Sequence, residues 1–135
     1  MKKHILFIDD DTEELRICLE AINKVPGNFK CTYANSSHQA IDMLKYLVPD
    51  YIFVDYSMPK LNGLQFVSIV RGEDKLQKVR MFLYTSRLSE EVSKMAIVLG
   101  ANGCVEKTDT INLLAVELKS ILTPAITRYP YSKTA

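Results

Sequence analysis

Apolar and polar positions alternate in blocks along this chain. Runs rich in aliphatic, β-branched and aromatic residues recur at 4–8, 29–34, 51–54, 80–85 and 103–106, each with the length and composition of a β-strand. Between them the apolar residues take helical spacing. Leu15, Cys18, Leu19 and Ile22 fall at i, i+3, i+4 and i+7, as do Val92, Met95, Ala96 and Leu99. Ala40, Leu44 and Leu47 mark a second helix, Leu64, Val67 and Val70 a third, and Ile111, Leu114, Ala115, Leu118 and Leu122 the last. Helix-start signals agree with this order. Ser36 followed by Gln39 has the spacing of a capping box, Ser89 stands before Glu90 and Glu91, and Asp11 or Thr12 can cap the first helix. Gly100 occupies the place of a helix-terminating glycine.

Strict β–α alternation, repeated five times, implies a parallel sheet with helices on both faces. Strands one, three and four read as near-continuous apolar runs, as strands covered on both sides should. The expected architecture is an α/β, flavodoxin-like (βα)5 doubly wound sheet with strand order 2-1-3-4-5. Residues 1–123 make one domain, and residues 124–135, with Pro124, Pro130, Tyr129 and Tyr131, form a short tail with no room for an output domain.

Composition narrows the function classes. In 135 residues, 47% are hydrophobic and 24% charged, with a formal net charge of +1. That is the balance of a water-soluble globular domain, and it points to neither a nucleic-acid partner nor a membrane. No apolar run approaches the ~20 residues of a membrane span. Cys18, Cys31 and Cys104 lack metal-ligand spacing and are odd in number, so they read as small hydrophobes in a reducing, cytoplasmic compartment.

The unusual feature is "ILFIDDD": a buried strand running straight into Asp9, Asp10 and Asp11. In a doubly wound sheet, ligands bind at the carboxyl ends of the strands, where the strand order reverses. Strand three ends at Asp55, beside strand one, so Asp9, Asp10 and Asp55 converge. Strand four ends at Thr85-Ser86 and strand five leads to Lys107. Like-charged carboxylates held together either protonate or bind a cation, and hard oxygen ligands suit Mg²⁺. A phosphoryl group would then contact the metal, the Lys107 ammonium and the Thr85 hydroxyl. Asp55, alone at its strand end, is the best-placed nucleophile. It opens the loop "DYSMPKLNG", where Pro59 restricts the backbone and Asn62-Gly63 signals a turn. Such a loop can aim a carbonyl, such as that of Ser57, at the metal. Taken singly, these residues are ordinary turn, cap and surface positions; only their joint placement on successive strand ends points to a site.

These motifs, over about residues 4–122, resemble the receiver domain of two-component response regulators. The acidic pair matches Asp9-Asp10. The motif Asp-x-x-Met-Pro-x-x-x-Gly matches "DYSMPKLNG", the strand-four hydroxyl matches Thr85, and the strand-five lysine matches Lys107. The resemblance implies phosphoryl transfer onto Asp55 from a sensor histidine kinase or a phosphotransfer protein of a phosphorelay. It also implies Mg²⁺ held by Asp10, Asp55 and the Ser57 carbonyl, with Asp9 acting through water. The chain would be a stand-alone switch for protein–protein interactions, acting on an unidentified target or through a homodimer. Its catalysis would be limited to self-phosphorylation and slow self-dephosphorylation.

Two positions depart from the family pattern. Thr108 follows the lysine where proline joined by a cis bond is usual, so a trans Lys107–Thr108 bond is expected. Cys104 replaces an aromatic residue whose rotamer follows the Thr85 hydroxyl; Tyr84 reads as packing. Ser57 and Arg87 flank the path of the attacking water, and Arg87 is a candidate to slow hydrolysis. Two rival readings remain. One is a receiver-like module that is never phosphorylated. The other is a haloacid-dehalogenase-like phosphatase using Asp9 and Asp11 in an Asp-x-Asp-x-Thr motif. An EF-hand fails because Glu14 stands where its loop glycine must be.

Overall fold

A computed structural model describes residues 2–108 and 110–123. The chain runs β1 (Lys3–Ile8), α1 (Thr12–Asn23), β2 (Phe29–Ala34), α2 (Ser37–Met43), β3 (Tyr51–Asp55), α3 (Gly63–Arg71), β4 (Arg80–Thr85), α4 (Glu90–Leu99), β5 (Gly103–Glu106) and α5 (Ile111–Leu122). The strands form one parallel sheet in the order β2-β1-β3-β4-β5, as the alternation predicts. The tail at 124–135 lies outside the described residues. Among those described, no helix is long and apolar enough to cross a membrane.

Side-chain alternation along each strand divides the core in two. Leu6, Ile8, Ile52, Val54, Met81 and Leu83 face α2, α3 and α4. Ile5, Phe7, Phe53, Phe82, Tyr84 and Val105 face α1 and α5, meeting Cys18, Ala21, Leu114 and Leu118. On this second face an aromatic row crosses four strands. Tyr33, Phe7, Phe53 and Phe82 stack in turn with centroids 6.1, 5.3 and 5.4 Å apart, so aromatic contacts add to burial in setting the register of β2, β1, β3 and β4. Cys18 is buried, whereas Cys31 and Cys104 are only partly covered.

The helix ends follow local chemistry. Asp11 caps α1, accepting from the Glu13 N–H at 2.9 Å. Ser89 caps α4, and Gly100 closes it with φ 118°, a left-handed conformation that side chains resist. Two starts differ from expectation. Ser36 accepts from the Gln39 N–H, but Gln39 returns its side chain to the Asn35 N–H rather than to Ser36. The complete capping box belongs to α3, where Asn62 and Gln65 exchange bonds at 2.9 Å. α2 is also shorter than its apolar spacing suggests: it stops at Met43, with Leu47 beyond it. Pro49 pushes Val48 toward extended backbone, so the chain leaves the helix early to reach β3. A single 3-10 turn at Asp74–Leu76, not foreseen, links α3 to β4. Arg71 braces this end of the molecule, donating to the carbonyls of Gly100, Leu76 and Val79 and to Asn102 Oδ1.

Candidate functional site

β1 and β3 lie side by side with Ile8 opposite Val54. Asp9 and Asp55 therefore leave the sheet together. Carboxylate oxygens of Asp9, Asp10 and Asp55 lie within 4.8 Å of one another. Asp9 and Asp55 are buried, at 3% and 5% exposure, while Asp10 opens to solvent. This is the convergence expected from the strand order.

The Lys107 ammonium reaches into this cluster. It stands 3.1 Å from Asp9 Oδ2 and 3.2 Å from Asp55 Oδ1, with Glu14 Oε1 at 3.8 Å. The Lys107 N–H donates to the Thr85 carbonyl at 2.8 Å, which ties the lysine backbone to β4. Asp9 Oδ1 also accepts from the Asp11 N–H at 3.0 Å.

One cation does not neutralise the group. Burial, followed by the Asp9 charge, raises the Asp55 carboxyl to about 6, and the lysine and the Ser57 N–H only partly offset this. Asp9 is also raised, first by burial. At Lys107 burial works against the ammonium, but the Asp9 and Asp55 carboxylates outweigh it and hold its pKa above the ordinary lysine value. The pocket carries an excess of negative charge and offers only hard oxygen donors, which suits a small divalent cation.

Thr85 is buried at the neighbouring strand end, but its hydroxyl does not bond to the carboxylates. It donates to the Arg87 carbonyl at 3.4 Å and accepts from the Arg87 N–H at 3.3 Å, both long for such bonds. Ser57, Ser86 and the Arg87 side chain are exposed around the rim. The loop after Asp55 is held by the Gly63 N–H, which donates to the Tyr56 carbonyl at 2.9 Å. The left-handed residue in that loop is Lys60, with φ 70°; Asn62 and Gly63 begin α3 instead. No cis peptide occurs among the described residues, as expected for Lys107–Thr108.

Two members of the site escape a reading by motif. One is Glu14, brought to Lys107 by the first turn of α1. The other is Tyr84, whose ring centroid lies 4.9 Å from Lys107 Nζ. Parity is the signal that could have found it. Tyr84 pairs with Val105, and a residue two beyond Val105 extends toward the same side of the sheet. Tyr84 also lies on the opposite face from Cys104, which packs toward α4, so it does not stand in for an aromatic residue at that position. The strand-one aspartates do not fit a haloacid-dehalogenase-like phosphatase. The threonine of Asp-x-Asp-x-Thr would fall at position 13, which is Glu13, and Asp11 is occupied in capping α1.

Comparison with known proteins agrees with this geometry. Residues 5–119 match the family model of the response regulator receiver domain. The chain is 31% identical over 111 residues to protein-glutamate methylesterase/protein-glutamine glutaminase 2 of Vibrio vulnificus, covering 82% of this chain but 32% of that protein. It is 22% identical to a probable chemotaxis protein CheY of Rhizobium etli, covering 89% and 92% of the two chains. Among solved structures, the phosphorylated cyanobacterial phytochrome response regulator RcpA superposes with a TM-score of 0.81 at 18% identity, covering 90% of this chain and 91% of that one. The acidic strand-end cluster, the 2-1-3-4-5 sheet and the family match over 5–119 together establish that the chain belongs to the response regulator receiver domain family.

Proposed function

We propose that Asp55 accepts a phosphoryl group from a phosphohistidine on a sensor histidine kinase or phosphotransfer protein, and that the acyl phosphate switches contacts with a downstream protein. The observation that carries this reading is the cluster of Asp9, Asp10 and Asp55 oxygens within 4.8 Å, with the Lys107 ammonium bridging two of them. An Asp55 oxygen attacks the phosphorus, the phosphorus–nitrogen bond breaks, and the departing imidazole takes up a proton. Mg²⁺, held by Asp10, Asp55 and the Ser57 carbonyl with Asp9 acting through water, would supply charge neutralisation for the phosphoryl oxygens.

Lys107 then exchanges its contact with the Asp55 carboxylate for one with a phosphoryl oxygen. The weakly held Thr85 hydroxyl turns from the Arg87 backbone toward a second. Because Thr85 holds the start of the β4–α4 loop, that turn shifts the loop and α4 between two packings, biasing a pre-existing equilibrium. With Cys104 on the α4 side of β5, the coupling runs through this loop rather than through a ring. The excess negative charge of the cluster favours this reading over a module that is never phosphorylated.

Incubation with acetyl phosphate and Mg²⁺ tests the proposal by intact-protein mass. The expected result is one acid-labile phosphoryl group on the native chain and none on Asp55→Asn. No uptake, or equal uptake by both, overturns it.

A further inference from the structure

Lys107 has a long, flexible side chain, yet its ammonium must be in place when a phosphoryl group arrives. Two carboxylates attract it without fixing its path, because a strongly hydrated ammonium on a four-carbon stem has many ways to satisfy them. The ammonium also lies over the Tyr84 ring, 4.9 Å from its centroid. A ring face at that distance attracts an ammonium and gives it a floor.

The ring itself is fixed. Tyr84 is 4% exposed and packs in the cluster beneath α1 and α5. Its backbone pairs with Asp55, and its carbonyl accepts from the Tyr56 N–H at 3.2 Å. The residue that supports the lysine is thus registered directly against the strand end that carries the acceptor carboxylate. Glu14 approaches Lys107 from α1 at 3.8 Å, but it is more exposed and longer-reaching, so it does not define the amine position as the ring does.

We propose that Tyr84 is a positioning residue for phosphoryl acceptance: its ring face holds the Lys107 ammonium in the place where it spans Asp9 and Asp55. The role rests on the Asp55 reading above. It requires a flat π face and not the hydroxyl, so phenylalanine should serve and an aliphatic residue should not.

The test uses Tyr84→Phe and Tyr84→Leu in the full chain, with phosphorylation by acetyl phosphate followed across donor concentration. Tyr84→Phe should react within about twofold of the native rate, and Tyr84→Leu about tenfold slower at saturating donor, the size expected for a partly desolvated cation–π contact. Proton NMR of the native chain supplies a readout that needs no variant. The Lys107 ε-methylene protons should be displaced upfield by the ring current, with the displacement kept in Tyr84→Phe and lost in Tyr84→Leu. A Leu variant that reacts at the native rate overturns the role, as does a Phe variant as slow as the Leu variant. Absence of the ring-current displacement in the native chain does the same. If the native chain takes up no phosphoryl group, the acceptor reading falls and this role with it. Normal native uptake together with an unimpaired Leu variant removes the role of Tyr84 alone.

Discussion

At the scale of single residues, the site is a charge balance that the protein leaves unfinished. Lys107 opposes two buried carboxylates, and removing it leaves both without a cation. Lys107→Met should therefore destabilise the metal-free chain by about 3 kcal/mol at neutral pH, the lower end of what a broken buried pair costs. It should also raise the Asp55 carboxyl further above the value of about 6 that it has beside the lysine. Urea unfolding and ¹³C NMR titration of the Asp55 carboxyl check the two parts. Arg87 offers a different balance. It is exposed on the loop that holds Thr85, at the end of the strand that pairs with the one carrying Asp55. Arg87→Ala should shorten the phosphoryl half-life about fivefold, equivalent to roughly 1 kcal/mol from an exposed charge-assisted contact. Loss of acid-labile phosphate with time measures it, and an unchanged half-life removes Arg87 from the site.

At the scale of elements, the position of Asp55 depends on how closely α3 approaches the end of β3. A Cβ added at Gly63 would lie 2.6 Å from the Asp55 carbonyl, 2.7 Å from Leu83 Cδ1 and 2.9 Å from Tyr56 Cα. Two of those neighbours are backbone and cannot step aside as a side-chain tip can. Gly63→Ala should cost about 2–3 kcal/mol through overpacking, and it should slow phosphorylation because relief requires the acceptor strand end to move. Thermal unfolding and the acetyl phosphate reaction test both effects; full stability in the alanine variant contradicts the first. The Asn62-Gly63 pair shows what local sequence conveys and what it omits. A turn there is legible from the residues. That the asparagine is a helix cap and the glycine a contact surface for β3 becomes visible only when the two elements are docked. The early end of α2 is a similar case, since Leu47 keeps helical spacing but Pro49 and the need to reach β3 decide the boundary.

At the scale of the molecule, the acidic cluster makes folding stability depend on pH in an unusual direction. Asp9 and Asp55 both lie above the ordinary carboxylate range, Asp55 at about 6. Between about pH 4 and 6 the folded chain holds protons that the unfolded chain has released, so the stability they contribute is complete below this window and is lost as pH rises through it. The two carboxylates should therefore make the metal-free protein more stable near pH 5 than near pH 7.5, by an amount on the order of 1–2 kcal/mol, less what His4 returns, since burial lowers its pKa and favours the neutral, higher-pH form. Mg²⁺ should reverse the order, because a bound cation takes the place of the protons and binds best when the carboxylates are ionised. Urea unfolding at the two pH values, with and without Mg²⁺, reads this directly; stability that rises with pH in the absence of metal contradicts it.

The amino-acid sequence alone determined the order of the elements, the parallel sheet and the strand-end placement of Asp9, Asp10, Asp55, Thr85 and Lys107. All of these follow from periodicity and from the rule that successive strands of a doubly wound sheet end on one edge. Tertiary structure decided the rest, because it concerns which side chains from distant elements share a small volume. The Lys107 ammonium sits between Asp9 and Asp55 rather than in solvent, and the Thr85 hydroxyl bonds to its own loop. The Tyr84 ring lies beneath the lysine, on the face away from Cys104. Spacing along a chain specifies which face of an element a residue occupies. The distance across to another element, and hence the charge and contact each group experiences, is set only when the layers pack.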